Sequence, residues 1–205
     1  MAKNFTSVTK LSRREAVALH PKAVKSLTKR NYPPGDHGLS RRPRPGNYTM
    51  QLREKQKIKR IYGILEKQFR RYVAKSEQMR GVSGENLLIL LERRLDNVCY
   101  RLNLATSRQA ARQLVSHAHI RLNGKKVNIP SILVDIGDEI TIREKSLDNT
   151  YFGQLKDSLS KNKSENTSWL SFNANKMSGK VTGMPLRDEL SQDIKEQLII
   201  EYYSR

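Results

Sequence analysis

The chain has 205 residues, with 39 Lys+Arg against 20 Asp+Glu and a formal net charge of +19. That is long enough for one large or two small domains with real cores. The single cysteine, Cys99, excludes an intrachain disulfide and a cysteine-cluster zinc site, and no apolar run reaches the ~18–20 residues of a membrane span.

The charge is concentrated early. Residues 1–80 carry 21 Lys+Arg and 5 Asp+Glu (+16), residues 84–126 carry 8 and 3 (+5), and residues 127–205 carry 10 and 12 (−2). Self-repulsion on this scale points to a polyanionic partner, held mainly by the N-terminal half. The start MAKNFTSVTKLSRRE lacks the apolar core of a secretory signal, and Glu15 argues against a mitochondrial presequence. A cytosolic protein is expected. His20, His37, His117 and His119 form no metal-ligand spacing with carboxylates.

Residues 1–47 are basic and punctuated by NYPPGDHG (31–38) and RRPRPGN (41–47), a density of Pro and Gly that prevents long helices. The segment is expected to be an arm that orders on nucleic acid, with backbone groups and Arg forks on phosphates. SRRE at 12–15 fits a capping box at a helix start. Residues 48–80 read as basic helix, with Ile61, Leu65, Phe69 and Val73 as one stripe and Gly63 dividing it in two. Arg53, Lys55, Lys57, Lys59, Arg60, Lys67, Arg70, Arg71 and Lys75 surround the stripe. Acids are too few to pair them along the helix, which favours phosphate contact.

Ser83 starts the next helix, whose buried stripe runs Leu87, Leu88, Leu91, Leu95, Val98, Cys99 and Leu102. Cys99 is expected to be a small core residue. Arg94 and Arg101 share one flank, Arg93 and Tyr100 the solvent side, and Asn103 takes the left-handed C′ position. Thr106 to Gln109 fits a capping box for a further helix that buries Ala111, Leu114, Val115 and Ala118 and sets Arg108 and Arg112 on one flank. Its N-terminal amides and Ser107 are placed to meet a phosphate.

HIRLNGKKVN is a hairpin signal around Asn123-Gly124. A two-residue turn pairs Leu122 with Lys125, Arg121 with Lys126, Ile120 with Val127 and His119 with Asn128. Facing like charges, Arg121 and Lys126, cost a few tenths of a kcal/mol (roughly), which a polyanion on that face would reverse. Residues 132–134 and 139–142 read as two more strands, residues 156–168 as a polar loop, and Trp169, Leu170 and Phe172 as the return of order. Leu190, Ile194, Leu198, Ile199 and Tyr202 mark a C-terminal amphipathic helix that needs a docking face, which the helices of 48–91 offer.

The stretch RRLDNVCYRLNLATSRQAARQLVSHAHIRLNGKKV (93–127) resembles the RNA-binding module named after small-subunit ribosomal protein S-four. YPPGDHG, YTMQLREKQKIKRIYGILEKQFRRY and the terminus EQLIIEYYSR extend the resemblance to nearly the whole chain, in the order of the bacterial-type S-four family. The resemblance implies a structural, non-enzymatic primary binder of 16S-type rRNA at a helix junction in its 5′ domain. It further implies early action in subunit assembly, ribosomal proteins S-five and S-three as neighbours, and Arg41, Arg42 and Arg44 facing incoming mRNA. Repression of its own mRNA is a family habit and here a hypothesis. No cofactor and no metal are expected, because relatives with zinc carry an N-terminal cysteine cluster absent here.

The implied contacts are Arg94, Ser107, Arg108, Arg112, His117, Asn123 and Lys126. The candidate rRNA-contacting set also takes in Arg30, Tyr32, His37, Arg53, Lys55, Lys57, Lys59, Arg60, Arg70, Arg71, Arg101, His119, Arg121 and Lys125. Asn103 and Ala118 stand where many relatives have Gly, so a positive φ at Ala118 would be awkward, and Asp36 replaces a common Gln. Two other readings are an RNA-modifying enzyme anchored by the same module, for which no catalytic constellation is present, and a free translational repressor. The expected fold is α+β: an arm (1–47), a helical domain (48–91) completed by a C-terminal helix (187–205), and an inserted RNA-binding domain of two helices and a small antiparallel sheet (92–186, core module 93–143).

Overall fold

A computed structural model describes residues 6–40, 44–161, 167–173, 176–189 and 194–204. In chain order the helices are α1 (Val8–Glu15), α2 (Pro21–Lys29), α3 (Asn47–Ile61), α4 (Glu66–Gln78), α5 (Ser83–Glu92), α6 (Leu95–Arg101), α7 (Arg108–Ser116), α8 (Glu144–Leu147), α9 (Thr150–Lys161) and α10 (Glu196–Tyr203). The strands are β1 (Ile120–Leu122), β2 (Lys125–Val127), β3 (Glu139–Ile142), β4 (Leu170–Asn173) and β5 (Ser178–Val181). The fold is α+β. Two compact units form, Met1–Gly84 with Asp193–Arg205, and Glu85–Gln192.

The first unit is helical, and its arm is more ordered than its Pro and Gly content predicts. SRRE does not start a helix. It ends α1, which begins at Val8, and Ser12 is buried with its hydroxyl donating to Val8 O (2.8 Å) and accepting from Leu19 N (3.2 Å). Pro21 opens α2 with φ already set, and His20 Nδ1 caps it by accepting from Lys22 N (3.1 Å). Arg13 stacks 4.6 Å from the Tyr32 ring and donates to Tyr32 O (3.0 Å), which fastens the YPPGDHG turn to α1. At Gly38 a Cβ would lie 2.3 Å from Pro33 O, so the turn closes only with glycine.

Gly63, at φ +63°, separates α3 from α4 as expected. The break resets the helical phase, so the predicted stripe holds only in α4, where Phe69 and Val73 are buried, and fails across the break. Leu65 is 43% exposed at the α4 N-cap, while α3 buries Gln51, Glu54, Lys55 and Ile58 instead. This half-polar face meets α10. Gln51 Nε2 donates to Glu201 (2.9 Å), Lys195 N donates to Glu54 (2.9 Å), and Ile199 is buried. Gly84, in the first turn of α5, lets Glu196 approach: a Cβ there would lie 2.7 Å from Glu196 Cγ.

The second unit packs α6, α7 and the start of α9 against one side of an antiparallel sheet of order β2-β1-β3-β5-β4. Leu95, Val98, Cys99, Leu102, Ala111, Val115, Ile120, Ile140, Phe152, Trp169 and Val181 share its core. Cys99 is fully buried and burial pushes its thiol pKa up, which fits a packing role. The hairpin register is the expected one: Ile120 opposite Val127, Arg121 opposite Lys126, Leu122 opposite Lys125. Asn123 (φ 50°) and Gly124 (φ 75°) both take the left-handed values of a type I′ turn. Asn103 is left-handed at φ 56°, and so is Ala118 at φ 58°, a strained position for a residue with a Cβ.

Four expectations are corrected here. The stretch from Ser83 is two helices, interrupted at Arg93–Arg94, because Arg94 turns extended and bridges to Leu133 while Leu95 N and Asp96 N bond to Ile132 O and Pro130 O. Residues 132–134 therefore make this isolated bridge and no strand. The α7 cap is Ser107, whose hydroxyl accepts from Ala110 N (3.2 Å), rather than Thr106. Residues up to Lys161 of the expected polar loop belong to α9, whose Phe152 is a core residue. Leu190 lies outside the described residues. The unpredicted β4–β5 pair completes the sheet, and β5 fits over α6 at Gly179, where a Cβ would lie 2.4 Å from Leu102 Cδ1.

Candidate nucleic-acid interface

In the second unit, the break between α5 and α6 creates a buried ionic framework. Glu92, with a fully buried side chain, accepts a two-pronged donation from Arg101 (3.0 and 2.9 Å) and a bond from Asn97 Nδ2 (2.7 Å). Asp96 accepts the same two-pronged donation from Arg94 (3.0 and 2.6 Å) and lies 3.7 Å from Arg112 Nη1. Asn97 Oδ1 accepts from Arg108 Nε (2.8 Å), and the Arg108 guanidinium lies over the Tyr100 ring at 4.6 Å. Two buried carboxylates thus hold Arg94, Arg101 and Arg112, and the Asn97 amide holds Arg108. Arg94 is sealed inside at 0% exposure, whereas Arg101, Arg108 and Arg112 are half-buried and reach the surface in fixed directions. A planar guanidinium held this way matches phosphate oxygens.

Arg94 is therefore corrected as a contact residue. Its head is spent on Asp96, and its position sets the helix break. Ser107 is largely occupied as the α7 cap. Asn123 is exposed, yet its amide is used inside the protein: Nδ2 donates to Asp138 (2.7 Å) and Oδ1 accepts from Glu139 N (2.8 Å). The Arg121–Lys126 pairing is milder than the register alone implies, because Arg121 also bonds Glu144 (2.9 Å). Arg93, expected on the solvent side, donates to Val134 O (2.8 Å) and pairs with Asp135. Lys125 and Lys126 are exposed at the hairpin tip, and His117 is exposed at the C-cap of α7. His119 bonds Ser146 Oγ (2.9 Å), and burial, then His117 and Arg143, hold its pKa below the usual value.

In the first unit the expected bases divide into two kinds. Lys55, 4% exposed, is an internal cation and a second correction: it pairs with Glu66 (2.9 Å) and lies 4.5 and 5.7 Å from the Tyr202 and Tyr203 rings. Lys59 shares Glu66 (2.8 Å), and Lys57 pairs with Glu54 (2.9 Å). Burial raises the Glu66 pKa, but hydrogen bonds from Lys59, Tyr203 and Lys55 outweigh it and hold the carboxyl at about 2. Arg53 (3.2 Å) and Arg60 both bond Glu15, whose side chain is buried. Tyr32 is half-buried beneath Arg13.

The second kind is exposed. His37, Arg44, Arg70 and Arg71 lie at the surface, and Arg41 and Arg42 lie outside the described residues. Arg30 joins Lys22, Lys25, Ser26 and Lys29 around an open groove of about 320 Å³ with no acid in its lining. Sequence reasoning missed Lys22, Lys25 and Lys29. Their spacing of three and four along one helix face was the available signal. It also missed Glu92, Asp96 and Asn97, because two acids and an amide among many bases give no sign in sequence of which arginines they hold. Among the described residues no helix is long and apolar enough to cross a membrane, and no group of three or more His, Cys, Asp or Glu could hold a metal ion.

Comparison with known proteins accounts for both units. The family described as "Ribosomal protein S4/S9 N-terminal domain" matches residues 3–92, and the S4 domain family matches residues 93–140. The small ribosomal subunit protein uS4 of Caldicellulosiruptor saccharolyticus is 51% identical over 211 residues, and that of Halothermothrix orenii 51% over 214. The uS4 of Chloroflexus aurantiacus is 50% identical over 206 residues. In each case the whole of both chains is covered. With its family domains meeting at the helix break of Arg93 and its relatives matching from end to end, the chain belongs to the uS4 family of small ribosomal subunit proteins.

Proposed function

We propose that this protein is a structural, non-enzymatic constituent of the small ribosomal subunit that binds its rRNA and resides on cytoplasmic ribosomes. The observation that carries the reading is the arginine framework of the S4-type unit. Arg101, Arg108 and Arg112 are mounted on buried Glu92, Asn97 and Asp96 respectively. An RNA phosphate is the ligand that guanidiniums fixed in this way fit. A-form RNA is recognised mainly through shape, 2′-hydroxyls and phosphates, and half-buried, pre-aimed guanidiniums suit that task. The exposed bases of residues 1–80 add long-range attraction.

On this reading residues 1–47 act as an arm, 48–91 with 187–205 as a helical domain, and 92–186 as an inserted RNA-binding domain. The target is a helix junction in the 5′ domain of 16S-type rRNA, bound early in assembly. S-five and S-three are neighbours, Arg41, Arg42 and Arg44 face incoming mRNA, and the free protein represses its own message. The full-length likeness to small ribosomal subunit proteins uS4 supports the place on the small subunit, and the finer statements extend that reading. The deciding experiment is a filter-binding titration of small-subunit rRNA with Arg108→Ala/Arg112→Ala, alongside sedimentation with the small subunit. A folded double variant with at least tenfold weaker binding is expected. Unchanged affinity would remove this surface from the RNA contact.

A further inference from the structure

Arg108 is held on two sides by one face of α6. Asn97 and Tyr100 are three residues apart and so point the same way. Asn97 is 2% exposed, and its amide has one possible orientation: Nδ2 donates to Glu92 O (3.1 Å) and Glu92 Oε2 (2.7 Å), so Oδ1 must face Arg108 Nε (2.8 Å). The Tyr100 ring then covers the guanidinium plane at 4.6 Å. One contact fixes an edge of the guanidinium and the other fixes its plane.

We infer that Asn97 and Tyr100 are positioning residues for rRNA binding, acting through Arg108: they hold its guanidinium in the orientation that meets an RNA phosphate. The inference rests on the rRNA-binding reading above. Its physical basis is entropy. A free arginine loses rotamer freedom when it docks, and a mounted one has lost it already. Neither residue need touch RNA, and neither changes the number of charges presented.

The test is a set of affinity measurements with a full-length small-subunit rRNA transcript, using the whole chain. Tyr100→Leu removes the ring from a half-exposed position and keeps an apolar contact, so thermal melting should find the variant folded at assay temperature. It should weaken binding by about three- to tenfold, the scale of one immobilised side chain. Tyr100→Phe, which keeps the ring, should bind as the parent does. In an Arg108→Ala background Tyr100→Leu should cause no further loss, and Asn97→Ala should follow the same pattern. The salt slope separates the roles: Arg108→Ala flattens it by about 0.7–0.9, whereas Tyr100→Leu leaves it unchanged. If Tyr100→Leu weakens binding equally with and without Arg108, or has no effect while Arg108→Ala does, the inference is overturned and the RNA surface stands. If Arg108→Ala itself has no effect, the surface reading falls and this inference with it.

Discussion

Glu92→Gln is the sharpest probe of the ionic framework. The Glu92 carboxylate is fully buried and receives three donors, Arg101 Nε and Nη2 at 3.0 and 2.9 Å and Asn97 Nδ2 at 2.7 Å. Glutamine has nearly the same volume, so no cavity forms. It offers one acceptor oxygen to three donors and turns its own NH2 toward at least one of them. A hydrogen bond to a charged group contributes about 1.5–3 kcal/mol, and part of the loss is recovered because Arg101 can turn toward water, leaving a net cost of about 2–4 kcal/mol. The unit that contains Glu92 spans Glu85–Gln192. For a domain of roughly 100 residues each kcal/mol shifts Tm by about 4 °C, so the transition should fall by about 8–16 °C. Calorimetry at pH 7 measures this. Glu144→Gln is the control, because that carboxylate is 81% exposed beside Arg121 and its removal should move Tm by no more than about 2 °C. If the two variants shift Tm by similar small amounts, the framework does not hold this unit together.

Three further outcomes are expected. Glu66 has a depressed folded pKa of about 2 against 4.5, so its stabilisation is present above 4.5 and fades as pH falls toward 2; acid titration of Glu66→Gln should show a stability deficit at pH 6 that shrinks below pH 4.5. His119 should titrate below 6.5 by NMR, and because its charged form is disfavoured in the fold, its contribution is present above pH 6.5 and lost as pH falls through its lowered pKa; His119→Gln should blunt that loss. Gly179→Ala should destabilise by about 1–3 kcal/mol in denaturant titration, since its Cβ would press on fully buried Leu102.

What the residue pattern reveals depends on the range of the interaction. The Asn123-Gly124 turn, the β1–β2 register, the break at Gly63 and the left-handed Asn103 are set by local chemistry, and each is readable from a few adjacent residues. The break at Arg94 is not. It depends on Asp96 capturing the guanidinium and on residues 130–134 satisfying the freed amides, and no periodicity shows that. The burial of Lys55 fails for a related reason: in sequence it is one of many bases, and only the long-range partners Glu66, Tyr202 and Tyr203 distinguish it. At the candidate interface, charge pattern located the arginines but was silent on the neutral and acidic groups that aim them. Counting bases could not separate Arg94, which is internal, from Arg108, which is not.

The meeting of α3 with α10 also bears on how the chain folds. Gln51 and Glu201 are 150 residues apart, and closing an unstructured loop of that length costs about 4 kcal/mol in chain entropy. Residues 85–192 all lie within that loop, and Gly84 and Glu196 on either side of it are in contact range. Pairing of α3 with α10 is thus a non-local contact, of the kind that forms slowly. A longer intervening segment would raise that cost only slightly, by about 0.6 kcal/mol for each doubling of its length.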